Sequence, residues 1–397
     1  MDIIKKVLTF KSGNFVFSAK FNDDKGSEIA NKIVEVLIAF ESIKYIPILP
    51  NMASQIEEEL IKKSIFSTAA IEGNSLTQED VDKIIEDNKT NFSKERFVKE
   101  IQNLKTAYDK IKDINALDTK ILLSQDLIKN YHKIITDGLE NETNIPGQYR
   151  NTKVIVGNEE HGGTNVPPKI FEDIKKLMEE FILWINSKEL LEIPPIFRAC
   201  IAHLTLALIH PFGDGNGRTS RIIEAHILKS AGYRFVYTML SNYYYKNIDE
   251  YFITFSKVLK NEDNDISDFV LFYLKGLLES IKTIREKIYI IITGLSLQSY
   301  LLYLKKTNQI SPRQYDFLSI MLDNNKEVTE KEILEDVNLK IIYGKLSSRT
   351  LKRDLDYLLK ANLLMLNRDT QKYRINFFVL NEEKWIKPEE NNNEKNF

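Results

Sequence analysis

Three glycines at alternate positions, Gly213, Gly215 and Gly217, follow the most apolar stretch of a 397-residue chain, and this juxtaposition limits the available folds more than any other feature. The stretch Ile196 to Ile209 has helical apolar spacing, with Ile201, Leu204 and Leu208 on its core face, and Pro211 disfavours α geometry at His210. His210 is therefore expected at a helix terminus. The glycines admit backbone conformations closed to other residues, so successive N–H groups can converge as an anion-binding nest. A second helix, predicted from Gly217 or Arg218 to Ser230, adds its unpaired N–H groups and the positive end of its dipole. Two helices joined by a phosphate-shaped loop is the motif this sequence dictates.

The side chains of the loop carry complementary chemistry. Asp214 is the kind of carboxylate that Mg²⁺ takes when it also bridges phosphates. Asn216 offers an amide donor, and Arg218 and Arg221 project from one face of the second helix. His210 supplies an imidazole that titrates near neutrality. His210 to Arg221 (HPFGDGNGRTSR) resembles the Fic family signature, His-Pro-Phe-x-Asp-Gly-Asn-Gly-Arg-x-x-Arg, at every fixed position, and surrounding helices extend the likeness over roughly residues 55 to 285.

That resemblance implies a mainly α fold with a β-hairpin flap, and transfer of AMP from ATP to a Ser, Thr or Tyr hydroxyl of a protein. It implies that His210 deprotonates the acceptor and that Asp214 holds Mg²⁺. Gly215, Asn216, Gly217 and Arg218 would cradle phosphates, Arg221 would bind the γ-phosphate, and Thr219 and Ser220 fall within the same nucleotide-binding stretch. Pro146-Gly147, Gln148 to Val156, and Gly157-Asn158 read as the hairpin, with the flap over residues 147–168. Val154, Ile155, Val156 and Gly157 match the flap positions that would line the nucleotide cleft. Tyr251, beside Phe252, stands where relatives place an aromatic pair near the nucleotide.

A second pattern lies upstream. Ser54 to Ile71 reads as a helix stopped by Gly73, with Thr68 and Glu72 four residues apart on one face. Glu72 then sits at the negative end of a helix dipole, where a carboxylate wants a cationic partner. Thr-x-x-x-Glu-Gly resembles the family's inhibitory motif, which implies a pair between Glu72 and Arg221 occupying the γ-phosphate position. An alternative implied by the same glutamate is removal of AMP from a modified protein. A further alternative is a transcriptional regulator whose domain only senses nucleotide. His203 is read as a satisfied core histidine and Phe212 as an anchor of the loop. His132, His161 and His226 are assigned no chemistry.

The rest of the chain sets the context. Lys and Arg total 55 against 57 Asp and Glu, which gives no overall electrostatic reason to bind nucleic acid or an anionic membrane. A single cysteine, Cys200, excludes an internal disulfide, and no signal peptide or uninterrupted 18-residue apolar window is evident, so a cytoplasmic protein is expected. Residues 1–53 are expected to form an N-terminal extension, with Glu28 to Ser42 helical and Tyr45 to Asn51 extended, and residues 54–290 the catalytic domain. Residues 381–397 read as a disordered tail.

Residues 311–380 change character. Helices at Ser311 to Leu322, Thr329 to Val337 and Ser347 to Lys360, followed by strands at Leu363 to Leu366 and Lys372 to Leu380, resemble a winged helix-turn-helix. Arg349, Lys352 and Arg353 are available on its third helix, but Asp354 and Asp356 interrupt them. Twelve basic against ten acidic residues supports DNA only weakly, and protein docking or a homodimer fits as well. The family resemblance implies protein substrates bearing the acceptor hydroxyl as partners, the chain itself among them.

Overall fold

The computed structural model describes residues 6–10, 13–20, 23–87, 95–115, 122–139, 141–167, 171–261, 264–324 and 326–381, and they are mainly helical. The chain divides between Arg285 and Glu286 into two compact units. Of the tail expected at 381–397, Asn381 ends a short 3-10 helix and residues 382–397 lie outside the described residues.

The first unit begins with strands β1 (Lys6–Phe10) and β2 (Gly13–Phe17), paired antiparallel with Val7 opposite Val16. Helices α1 (Asp23–Lys44), α2 (Pro50–Ile71), α3 (Gln78–Asp87), α4 (Glu95–Lys112) and α5 (Gln125–Thr136) follow. A two-stranded flap, β3 (Val156–Asn158) and β4 (Gly163–Asn165), precedes α6 (Phe171–Ile185), α7 (Lys188–Glu192), α8 (Pro195–Ile209) and α9 (Asn216–Ser230). Then come α10 (Leu240–Lys246), α11 (Ile248–Lys260) and the long α12 (Ser267–Lys306), which runs across the boundary between the units.

Residues 1–53 do not stand apart. The Phe17 ring stacks on Trp184 of α6 at 5.2 Å, and Phe40 of α1 meets Tyr233 at 4.2 Å, so this extension is part of the first unit's core. The connector expected through Asn51 ends earlier, because Pro50 opens α2 at a position where its missing N–H costs nothing.

The platform of the unit is the α8–α9 pair. Ile196, Cys200, Ile201 and Ile209 of α8, with Ile222, Ile223 and Leu228 of α9, have no exposed surface. Each such side chain contributes about 1.5–3 kcal/mol of burial, so the loop between these helices hangs from a rigid support. Leu208, expected in the core, is half-buried and faces a cleft instead.

In the second unit the end of α12 packs with α13 (Pro312–Asn324), α14 (Glu330–Glu335), α15 (Val337–Tyr343), α16 (Ser348–Lys360) and the antiparallel ribbon β5 (Leu364–Asn367) and β6 (Lys372–Ile375). The core holds Leu297, Leu301 and Leu304 of α12 with Phe317, Leu351, Leu355 and Leu358. The single helix expected from Thr329 to Val337 is two. The capping box of Thr329 and Glu332 starts α14, and the Asp336 carboxylate then caps Asn338 and Leu339 and starts α15. By length and composition α12 is long and apolar enough to cross a membrane, with an 18-residue window of mean hydropathy 1.3.

Candidate active site

The loop between α8 and α9 adopts the conformation its sequence anticipates. His210 caps α8 in the left-handed region (φ 52°, ψ 58°), and Gly215 caps the start of α9 at φ 75°, a value that costs a side-chain-bearing residue strain. Phe212 is fully buried and stacks face to face on His132 of α5 at 3.7 Å. The Asn216 amide closes the loop on itself, its Oδ1 accepting from the Phe212 N–H and its Nδ2 donating to the Phe212 carbonyl, both at 2.9 Å.

His132, assigned no chemistry from its sequence position, is a brace of this loop. The Gly147 N–H donates to its Nδ1 at 2.9 Å, which places the ring proton on Nε2, and Nε2–H donates to the Asp214 carbonyl at 2.9 Å. Burial pushes this imidazole down to about 4, so it is neutral as that tautomer requires. Asn144 Oδ1 takes the Asp214 N–H at 3.1 Å. No local spacing distinguishes His132 or Asn144 from other helix and loop residues, since their partners are some 70 to 80 positions away in sequence.

His210 faces a cleft of about 390 Å³, whose walls also include Glu72, Val156, Gly157, Gly217, Arg221 and Tyr251. Its Nδ1–H points at the Ala207 carbonyl, 3.3 Å away, which leaves Nε2 as the acceptor atom. Burial, reinforced by the neighbouring Arg150 guanidinium, pushes His210 down to about 4 against the opposing charges of Glu72 and Asp214. The imidazole is thus unprotonated at neutral pH. Arg150 was not anticipated; its Nε donates to the His210 carbonyl at 2.7 Å and its backbone N–H to Pro211 at 2.9 Å.

That anchoring corrects the flap. The strand expected over Gln148 to Val156 is absent, because the backbone at Arg150 bonds to the loop and Tyr149 packs on Phe212. The flap strands begin only at Val156, with Gly157 opposite Thr164. Val156 and Gly157 line the cleft, whereas Val154 and Ile155 do not, Ile155 being largely exposed. At the flap tip His161 pairs with Asp249 of α11 at 2.9 Å, and Ser256 donates to the Gly162 carbonyl at 2.8 Å. Phe252, Phe255 and Leu259 of α11, with Ala207 and Leu208, give the cleft an apolar wall.

The two arginines, expected on one face, have different partners. Arg218 is buried and divided between Glu100 (2.5 Å) and Asp214 (2.9 Å), and it does not line the cleft. Asp214 is held ionised: burial alone would raise it, but Arg218 and the Gly215 N–H more than compensate. Its side chain stays 35% exposed, with Oδ1 engaged and Oδ2 3.7 Å from Arg96. One carboxylate of this kind suits a hard cation whose remaining ligands are phosphate oxygens and water. Among the described residues no cluster of three or more His, Cys, Asp or Glu could hold an ion by protein alone. Gly215, Asn216, Thr219 and Ser220 also lie off the cleft wall, the two hydroxyls donating back to the carbonyls of Gly215 and Asn216.

Arg221 is 2% exposed and bound to the upstream segment. Its Nη2 meets Glu72 Oε1 at 2.6 Å and the Thr68 carbonyl at 3.2 Å. The Thr68 hydroxyl turns away to Ser241. Burial works against the Glu72 carboxylate, yet Arg221 and Arg218 hold its pKa below the usual value. Glu72 lies directly over Gly217, where a Cβ would collide with its Oε1, so that glycine makes the close approach available. Fifteen residues earlier on the same helix, the buried Glu57 pairs with Lys229 of α9 at 2.7 Å and accepts from Tyr237 at 2.9 Å. Two ion pairs therefore fasten α2 along α9.

Behind Arg221 runs a buried polar chain. Arg221 Nη1 donates to the Tyr251 hydroxyl (3.4 Å), which lies 2.9 Å from His203 Nε2; His203 Nδ1 meets Glu224 at 2.5 Å, and Tyr244 also donates to Glu224 at 2.7 Å. With a neutral imidazole one direction satisfies every link, each N–H or O–H donating toward Glu224. His203 is satisfied, as the sequence reading holds, but as part of the scaffold of Arg221.

Three histidines, His132, His210 and His226, are pushed down to about 4, chiefly by burial. Each takes up its proton in the unfolded chain near 6.5 but in the folded one only near 4, so the stability they contribute is full above pH 6.5 and lost as pH falls toward 4. Urea titrations should show stability declining across that window by up to about 1.4 kcal/mol per pH unit for each histidine. A stability profile flat between pH 6.5 and 4.5 would contradict their neutral burial.

Comparison with known proteins agrees with this geometry. Residues 122–228 match the Fic/DOC family. The chain is 31% identical over 187 residues to a protein adenylyltransferase Fic of Aedes aegypti, covering 46% of this chain and 35% of that protein. A protein of the same description from Nematostella vectensis is 30% identical over 177 residues, 44% of this chain and 39% of the relative. The chain thus spans little more than a third of the length of these curated relatives. Among solved structures, a Fic family protein from Desulfovibrio desulfuricans G20 superposes with a TM-score of 0.54 at 19% identity, covering 90% of this chain and 97% of that one. Fic-1 (residues 134–508) from C. elegans gives 0.52 at 23%, covering 66% and 73%. The His-Pro-Phe loop that builds the cleft falls within residues 122–228, the stretch that matches the Fic/DOC family.

Proposed function

We propose that this protein transfers AMP from ATP to a hydroxyl side chain of a protein, and that Glu72 restrains the reaction. The observation that carries this reading is a neutral imidazole with a free Nε2 in the same cleft as a buried guanidinium, Arg221, whose present partner is a carboxylate. A guanidinium that holds a carboxylate binds a phosphate by the same charge-assisted geometry. His210 Nε2 takes the proton of the acceptor hydroxyl, whose oxygen bonds to the α-phosphorus. The bond from that phosphorus to its α,β-bridging oxygen breaks, and pyrophosphate leaves with the electron pair.

The apolar wall of Phe252, Phe255 and Leu259 suits a purine, and the flap edge at Val156 and Gly157 offers backbone groups to an extended acceptor segment. Asp214 would hold Mg²⁺, which neutralises charge on the phosphates when bound. Glu72, ionised and on the cleft wall, also stands where it could orient a water for the reverse removal of AMP.

Mass spectrometry tests the forward reading. Glu72→Gly protein incubated with ATP and Mg²⁺ should yield peptides, its own or a lysate's, heavier by one AMP on a hydroxyl residue; no such peptide would contradict it. If wild type instead strips AMP from those peptides, removal is the working direction. The chain behind Arg221 gives a separate expectation. In the Glu72→Gly background, Glu224→Gln should weaken ATP binding about tenfold, the value of roughly one charged hydrogen bond, and leave ADP unchanged. Calorimetry showing equal losses for both nucleotides would mean the chain is only structural.

A further inference from the structure

We propose that the exposed face of α16 binds duplex DNA in the B form. Overall charge argued against this, but the structure shows that the near-balance in residues 311–380 joins two unlike halves. Residues 311–344 carry four basic and seven acidic side chains, and residues 345–374 eight basic and three acidic. One of those three, Asp354, is 3% exposed and turned inward, pairing with Arg313 at 2.8 Å and accepting from Gln314 and Tyr343, both at 3.3 Å. One of the two residues that interrupt the basic face in sequence is thus absent from the surface, and Asp356 remains on it.

Arg349, Lys352, Arg353, Asp356 and Lys360 are spaced so that 100° per residue brings them into one strip of α16, and all five are exposed. Leu351, Leu355 and Leu358 bury the opposite face, which fixes the strip outward. Among the described residues Arg349, Arg353 and Lys360 enter no ion pair, and Lys352 reaches only Glu330, at 4.0 Å. Four cations with one carboxylate form a surface complementary to a polyanion. Arg368, exposed in the turn between β5 and β6, adds a further cation in the same unit.

The shape selects among polyanions. A helix of about 20 Å fits the B-DNA major groove, roughly 12 Å wide, where an arginine can pair with guanine edges. The major groove of A-form RNA is too narrow for it. An acidic protein would match the charge but not require a single helical strip.

Fluorescence anisotropy with the full chain and a labelled duplex of about 20 base pairs tests the assignment. Binding should be saturable at about 50 mM salt and weaken linearly in log–log salt plots. Arg349→Glu with Arg353→Glu, both exposed, should lower affinity at least tenfold and reduce the salt slope by about 2, with an unchanged thermal melt. Loss of affinity with no change in catalytic-unit activity separates this surface from the cleft. Absent binding, a double variant that binds like wild type, an RNA duplex bound as tightly, or polyglutamate competing as well as DNA at equal charge would each overturn the proposal.

Discussion

Glu72→Gly is expected to increase AMP incorporation by about 100-fold or more at saturating ATP. The side chain it removes holds Arg221 at 2.6 Å and rests on Gly217, so the variant frees both the guanidinium and the space above the glycine. Losing one partner of a buried ion pair costs about 3–5 kcal/mol, and a triphosphate that restores the pairing recovers much of that only in the variant. About 2.7 kcal/mol of differential binding at the reacting geometry is already a factor of 100. Without nucleotide the variant should melt lower, because Arg221 stays buried without its carboxylate, while Glu57 with Lys229 still fastens the helix so that the fold is kept. Glu72→Gln, which keeps a weaker contact without the charge, should fall between. Quantified labelling that is equal in wild type and both variants would rule out the brake.

His210→Ala in the Glu72→Gly background should lower the rate by about 10²–10⁴-fold, the usual contribution of a positioned general base. Alanine must also occupy the left-handed conformation at φ 52°, which costs about 1–2 kcal/mol. Asn tolerates that conformation better, so His210→Asn separates loss of the base from strain in the loop. Both variants should bind ATP nearly as the parent does, because the imidazole's own hydrogen bond is to the Ala207 carbonyl. The pH profile gives a second readout. A base pushed down to about 4 is already deprotonated at pH 6, so activity should be flat from pH 6 to 8, with the acid limb well below the usual 6.5 of a histidine. An acid limb at 6.5, or a variant within threefold of its parent, would remove His210 from this role.

What could be read from the sequence follows the range of the interactions. The loop from His210 to Arg221 was legible because its determinants are local: a proline ending one helix, glycines permitting the turn, and a new helix starting at once. The Glu72–Arg221 pair spans 149 residues and was reached only through the resemblance of two separate motifs. Arg150, His132, Glu100 and Glu224 leave no such trace, because each is an ordinary polar residue whose purpose appears only when folding brings its partner near. The flap was misjudged for the same reason, since Arg150 diverts the predicted strand to the loop. Asp354 shows a different error: helical spacing places it on the face of Leu351, Leu355 and Leu358 and not among the basic residues, and there it turns inward to Arg313.

Parallel reactions of the Glu72→Gly protein with ATP labelled at the α-phosphate and with ATP labelled at the γ-phosphate test the central claim most directly. The account predicts protein-bound label from the α-position only, lost when His210→Ala is added. Label transferred from the γ-position, or α-label that persists without His210, would contradict it.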